Sequence, residues 1–212
     1  MSFGLVKHNN NSISAITTPG SLSQGKMTLI KEQTASSSSS ISFVDGSSNV
    51  VLDNTYPIYI FKFINIHLQT DEANFQFNFS VDTGSNYNVT KTTTAFEARH
   101  EEDDDPAALG YDTGQDLAQS TSFKNIYAFL GADADQSCSG EMFLFNPSST
   151  TFVKHFLIRN SGIQGNDRAR DNHYAGYANT TSAIDAVQFK MASGNIDAGT
   201  IKLYGIKDSW WA

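Results

Sequence analysis

The pattern of apolar and polar positions changes character near residue 40. Before it, small apolar groups such as Leu5 with Val6 and Ile13 with Ile16 sit among Asn, Ser, Thr and Gly. They follow neither a helical nor a sustained two-residue period, so residues 1–40 read as an extended N-terminal arm. The arm closes on the serines at 36–40, read as a flexible linker, the alternative being a polar lead into a strand that starts at Ile41. From 41 to 212 strand-length apolar segments are separated by turn clusters. The segment 58–68 is apolar on both parities near its start, as in a strand covered on both faces. Phe75, Phe77, Phe79 and Val81 alternate strictly with Gln76, Asn78 and Ser80, which predicts one face on a core and one toward water. Further strands are expected at 88–97, 122–130, 140–145, 151–158, 184–191 and 200–206. The last two flank Ser193, Gly194, Asn195 and Gly199 and are expected to form a terminal hairpin. Some eight short strands with loops of unequal length predict an all-β fold, an antiparallel two-sheet jelly-roll-like sandwich over 41–212 with the arm in front of it. The acidic run 101–105 before Pro106 repels itself and is expected to be an exposed loop, and 167–173 a second polar loop.

Composition narrows the function more than it defines it. A net charge of −8 without a Lys/Arg stripe argues against nucleic acid as a partner. The charge is uneven: 1–40 carries Lys7, Lys26 and Lys31 against Glu32, +2, and the remainder carries −10, which suits an arm docking on an acidic surface. The sequence has the single cysteine Cys138, so no intrachain disulfide is expected. No signal-peptide core and no long apolar run is found, and no membrane association is expected.

The sharpest enzyme-like signal is Asp82-Thr83-Gly84-Ser85 after Val81, which resembles the active-site loop of aspartic proteases, with a second Asp-Thr-Gly at 112–114. Two such carboxylates would have to share one proton, which needs matching apolar frames. The frames differ, since no apolar strand precedes the second triplet, so both read as tight turns. Asp133, Asp135 and Glu141 offer oxygen ligands of the kind Ca²⁺ takes but match neither an EF-hand nor a repeat-type calcium loop, and read as solvated acids. His8, His67, His100, His155 and His173 lack metal-ligand spacing. The sequons at Asn78, Asn88 and Asn179 overlap strand or turn positions and read as chance. No catalytic residue, no metal site and no cofactor is expected. Trp210 and Trp211 are costly to expose; they pack either on a partner or over the domain's own base.

Four stretches carry a resemblance: Phe3-Gly4-Leu5-Val6-Lys7-His8-Asn9-Asn10, Ile41-Ser42-Phe43-Val44-Asp45-Gly46, Phe145-Asn146-Pro147-Ser148-Ser149-Thr150-Thr151-Phe152, and Gly199-Thr200-Ile201-Lys202-Leu203-Tyr204-Gly205-Ile206. On these the chain resembles, over nearly its whole length, a family of small accessory structural proteins of tailed phages of marine bacteria. The resemblance implies a virion component, assembled in the bacterial host cytoplasm, and no catalytic residue carries over from it. The expected function is that of a capsid decoration or cement protein. Its partners would be the major capsid protein or another virion protein, and itself as a homo-oligomer, a trimer favoured. The contacts expected to hold it are Phe3, Leu5, Val6, Lys7, Ile13 and Ile16 of the arm, with Trp210 and Trp211. The alternative is a tail- or fibre-associated receptor-binding or adaptor module that grips glycan through Tyr111, Tyr174 and Tyr177.

Overall fold

A computed structural model describes residues 27–104 and 107–207. Every regular element among them is a strand: β1 (Met27–Thr34), β2 (Ile41–Val44), β3 (Ile58–Leu68), β4 (Ala73–Ser80), β5 (Lys91–Glu101), β6 (Ala107–Tyr111), β7 (Leu117–Ser120), β8 (Lys124–Leu130), β9 (Cys138–Phe145), β10 (Lys154–Gln164), β11 (Arg168–Ala178), β12 (Ala186–Met191) and β13 (Ile196–Ile206). All pairings are antiparallel. One layer runs β2-β12-β4-β8, the other β1-β13-β3-β9-β10-β11-β5, with β6 and β7 both on the far edge of β5. A single ladder step, Gln164 against Leu130, joins the two layers where β10 meets β8. The chain crosses between layers at β1–β2, β2–β3, β3–β4, β4–β5, β7–β8, β8–β9, β11–β12 and β12–β13, which makes the fold a jelly-roll-like sandwich.

Phenylalanine fills the space between the layers. Phe61 and Phe63 of β3 meet Phe189 of β12, each with ring centroids 5.3 Å away, and Phe43 and Phe75 reach the same ring at 6.2 and 6.0 Å. A second cluster joins Phe77 and Phe79 of β4 to Phe156 of β10, at 5.3 and 5.6 Å. Edge-to-face geometry dominates, as ring quadrupoles prefer. These rings come from strands far apart in sequence, so the core exists only once both layers are assembled.

The structure moves several boundaries. Residues 27–34, expected within the arm, form β1 and pair with β13 from Met27↔Ile206 to Thr34↔Thr200. The serine run is likewise held: Ser37 donates its backbone N–H to the Asp197 carbonyl at 2.9 Å, and Ser38 and Ile196 exchange hydrogen bonds of 2.8 and 2.9 Å. Residues 27–40 therefore belong to the sheet, because β13 offers a free edge that this segment completes. The expected terminal hairpin does not form: β12 pairs with β2 and β4, whereas β13 pairs with β1 and β3 in the other layer. Phe189 and Leu203 are thereby buried in one core from opposite sides. The expected loop at 167–173 is largely β11, and β1, β6 and β7 are further strands beyond those expected. In β4, Phe75, Phe77 and Phe79 are fully buried as expected, but Asn78 and Ser80 are buried too, while Val81 is 38% exposed past the strand end. Both polar groups are satisfied locally: Asn78 donates to the carbonyls of Tyr87 and Thr121, and Ser80 accepts from the N–H groups of Asp82 and Gly84.

Gly199 marks a bulge where the β13–β3 register shifts. Its φ is +115°, and a Cβ there would lie 2.6 Å from the Asn65 carbonyl oxygen. Gly199→Ala should therefore cost about 2 kcal/mol or more in urea unfolding, combining a forbidden backbone region with a steric clash. A loss under about 0.5 kcal/mol, the range of an ordinary surface change, would show that the bulge tolerates a side chain.

Candidate functional site

Most of the sequence-derived chemical candidates take part in hydrogen-bonded turns or ion pairs. Asp82 serves its own turn: it accepts from the Asn86 side chain at 2.7 Å, the Ser80 hydroxyl at 2.7 Å and the Asn86 N–H at 2.8 Å. Those bonds, the Asn86 side chain first, hold its carboxyl below the usual carboxylate range. Thr83 and Gly84 adopt φ of 60° and 77°, the backbone of a tight turn. Asp112 instead accepts from Arg170 at 2.6 Å and from the Gly114 N–H at 3.0 Å. The two carboxylates are thus engaged by separate sets of donors. Glu141 pairs with Lys62 at 2.8 Å, and among the described residues no group of three or more His, Cys, Asp or Glu is placed to hold a metal ion. His100 contacts Asp104, His67 contacts Asp197, and Cys138 is a buried free thiol. Asn78, one of the three sequon asparagines named above, is fully buried. Phe3, Leu5, Val6, Lys7, Ile13, Ile16, Trp210 and Trp211 all lie outside the described residues, as does His8.

What the sheet assembles is a surface. Three cross-strand rows cover the outer face of the large layer. The first runs Leu29–Tyr204–Ile60–Phe143 from β1 through β13 and β3 to β9, and continues Leu157–Ala175–Thr94 over β10, β11 and β5. Beside it, Met27, Ile206, Ile58 and Phe145 form a second apolar stretch. His155 and Tyr177 extend it, with ring centroids 6.3 Å apart. On the other side runs a charged and aromatic row: Glu32–Lys202–Lys62–Glu141 and then Arg159–His173–Phe96–Tyr111.

Exposure and relief give this face its character. Met27, Leu29 and Leu157 are each close to half exposed, at 47%, 48% and 48%, and Phe96 and Tyr111 at 45% and 54%. His173 lies flat against Phe96, with centroids 4.7 Å apart and an 8° interplanar angle. Where the first row passes from Phe143 and Leu157 to the small residues Ala175 and Thr94, the surface sinks into a depression of about 340 Å³ walled by Phe96 and His173. A neighbouring hollow of about 420 Å³ is lined by Thr92, Phe145, His155 and Tyr177.

The charges on this face are paired. Glu32 bonds Lys202 at 2.9 Å, Glu141 bonds Lys62 at 2.8 Å, and Asp171 bonds Arg159 at 3.1 Å. Burial pushes the Asp171 carboxyl up, but hydrogen bonds from Arg159 and His173 outweigh it and hold the group below its ordinary value. Three carboxylates thus meet three cations on a protein whose net charge is −8, so the acid excess lies elsewhere.

Sequence reasoning missed this face. Tyr111 and Tyr177, named from sequence, do contribute to it, but Tyr174 is 3% exposed and turned inward, its ring under the Lys124 ammonium at 3.6 Å. The signal that could have found the face is the apolar outward parity of 58–60, 143–145 and 204–206, which becomes visible only once the strand order is known. No protein-family model, no curated protein and no solved structure matches the chain.

Proposed function

We propose that this chain is a non-enzymatic structural protein of a phage virion, a capsid decoration or cement protein held to neighbouring subunits by its N-terminal segment. The observation that carries the reading is the outer face of the large layer: apolar, charge-neutral and continuous across seven strands up to Met27, the first described residue. A contiguous apolar face rimmed by polar residues marks a surface made for association. The resemblance of residues 3–10, 41–46, 145–152 and 199–206 to phage accessory proteins supports the virion as the setting. The basic character of the segment before residue 27, with Lys7 and Lys26 and no carboxylate, suits docking on an acidic capsid surface. The structure of β1 also sharpens the test. Removing residues 1–26, which leaves β1 paired with β13, should abolish incorporation into particles while the truncated protein stays soluble. Truncated protein that still decorates particles at the full-length level would sink the anchoring role.

A second reading, a receptor-binding module on a tail or fibre, is favoured by one feature, the exposed row of Arg159, His173, Phe96 and Tyr111. It predicts saturable adsorption of the isolated protein to host cells, which a cement protein lacks.

A further inference from the structure

We propose that the outer face of the large layer is the contact between two copies of this chain, related by a two-fold axis that runs along the strands between β10 and β11. The argument rests on the order of side-chain sizes in one row. From β9 to β5 the row reads Phe143, Leu157, Ala175, Thr94, two large residues and then two small ones. A two-fold axis between β10 and β11 exchanges positions equidistant from it. Leu157 of the copy then lies over Ala175, and Phe143 of the copy lies over Thr94, the small residues of a depression of about 340 Å³ whose other side is formed by Leu157 and Phe143. The ridge of each copy enters the hollow of the other, twice over, as an isologous contact requires.

The adjoining rows obey the same operation. In the second stretch the axis sets Phe145 of the copy over Thr92 and His155 over Tyr177, where the neighbouring hollow of about 420 Å³ lies. In the charged row it sets Arg159 of the copy over His173, which is next but one to Asp171 on β11. Arg159 therefore keeps a carboxylate within reach across the contact as well as within its own copy, where the pair measures 3.1 Å. Charge favours a second copy over an acidic or basic partner. The face carries as many cations as carboxylates, so two copies of a chain with net charge −8 meet where their excess charge is absent. An axis along the strands sets the strands of the two copies nearly parallel beside it, which keeps the rows opposite one another and lies within the range of aligned sheet packing. The apolar end at Met27, Leu29 and Tyr204 lies beyond the overlap and stays available to another partner, so the two-fold contact pairs copies within whatever larger ring the virion uses.

The test uses the full chain. Sedimentation velocity over a range of concentrations should show a reversible dimer, and Ala175→Arg, which fills the hollow, should shift it at least tenfold in concentration toward monomer. Val81→Arg, in the exposed loop after β4, serves as the control and should leave the dimer unchanged. Unchanged melting and near-ultraviolet dichroism would show that each variant folds. A second readout does not depend on Ala175→Arg folding. With a short bifunctional thiol reagent that spans the gap between two packed sheet faces, a double variant, Phe143→Cys with Thr94→Cys, should give a covalently linked dimer, while either single variant stays monomeric on a denaturing gel. The two positions are three strands apart in one copy, about 14 Å, too far for an intrachain bond. A chain that remains monomeric at high concentration overturns the contact. So does an oligomer that ignores Ala175→Arg and fails to cross-link in the double variant. A monomeric protein that still incorporates into particles removes the dimer and leaves the virion reading standing.

Discussion

Replacing Phe189 by alanine should destabilise the protein by about 4 kcal/mol, the middle of the range for removing a fully buried aromatic ring. Phe189 is 0% exposed and sits at the meeting point of both layers, with Phe43 beside it on β2, Phe75 on β4, and Phe61 and Phe63 opposite on β3. Truncation leaves a void that these four rings cannot fill, because each is already fixed edge-on to another ring. Phe61 meets Phe43 at 5.3 Å and Phe63 meets Phe75 at 5.3 Å. The cost therefore includes lost transfer energy and an uncollapsed cavity. Equilibrium urea unfolding followed by tyrosine fluorescence and far-ultraviolet dichroism measures it. Phe189→Leu should recover more than half of the loss. A penalty below about 1.5 kcal/mol for the alanine variant would mean that the layers do not close over this ring.

The second large effect is a stability that climbs with alkalinity. Lys91 and Lys124 are buried between strands, and burial pulls each ammonium down to about 7. Lys91 donates to the Asn78 side-chain oxygen and to the Val89 carbonyl at 2.8 Å; Lys124 donates to the carbonyls of Gln115 at 2.7 Å and Asn125 at 2.8 Å. Around Lys124 stand Asp112 and Asp116, which favour its charge, and Arg170, which opposes it. Below pH 7 both states of the chain hold these protons and the penalty for burying the charge is constant. Above it the folded lysines release their protons while the unfolded ones keep theirs up to about 10.5, so the unfolded state binds more protons and stability rises with pH. Between pH 7 and 9 each lysine should add about 2 kcal/mol.

The gain has a ceiling set by opposite shifts. Burial pushes the Cys138 thiol up, as it does the phenols of Tyr127 and Tyr174. Those groups stay neutral in the fold and ionise once unfolded, so stability falls again above about pH 10. Thermal melts from pH 6 to 11 should show a maximum between about pH 9.5 and 10, where the protons the folded lysines have released are balanced by those the unfolded thiol and phenols lose. Lys124→Met should remove about half of the rise, and a flat profile between 7 and 9 in the wild-type chain would show that neither ammonium is desolvated.

Local pattern and tertiary context divide the chain unequally. The segment 58–68 has the bounds read from its sequence, and Phe75, Phe77 and Phe79 face the core as their alternation requires. Both follow from the two-residue period of a strand, which is written in consecutive residues. The all-β class follows in the same way, from many such short segments. β11 is the instructive miss. Its inward positions hold Arg170, Asn172 and Tyr174, which break the apolar alternation. Partners from elsewhere meet part of their polar demand: Glu97 and Asp112 for Arg170, the Asn160 side chain for the Asn172 amide, and the Lys124 ammonium over the Tyr174 ring, while the Tyr174 hydroxyl and the Asn172 side-chain oxygen have no hydrogen-bond partner among the described residues. How far an inward polar residue is satisfied depends on distant strands, and one segment of sequence does not say which of them arrive.

The sequence by itself determined that this protein is built of sheets, that 58–68 is a strand, that Phe75, Phe77 and Phe79 face inward, and that Asp82-Thr83-Gly84 is a turn. Only the tertiary structure decided that 27–40 is part of the sheet, that β12 and β13 lie in opposite layers, and that Leu29, Tyr204, Ile60, Phe143 and Leu157 share one outer row. The reason is physical. Side-chain direction along a strand is a local property, whereas neighbours in a sheet are chosen by hydrogen-bonded pairing between segments that can lie more than a hundred residues apart.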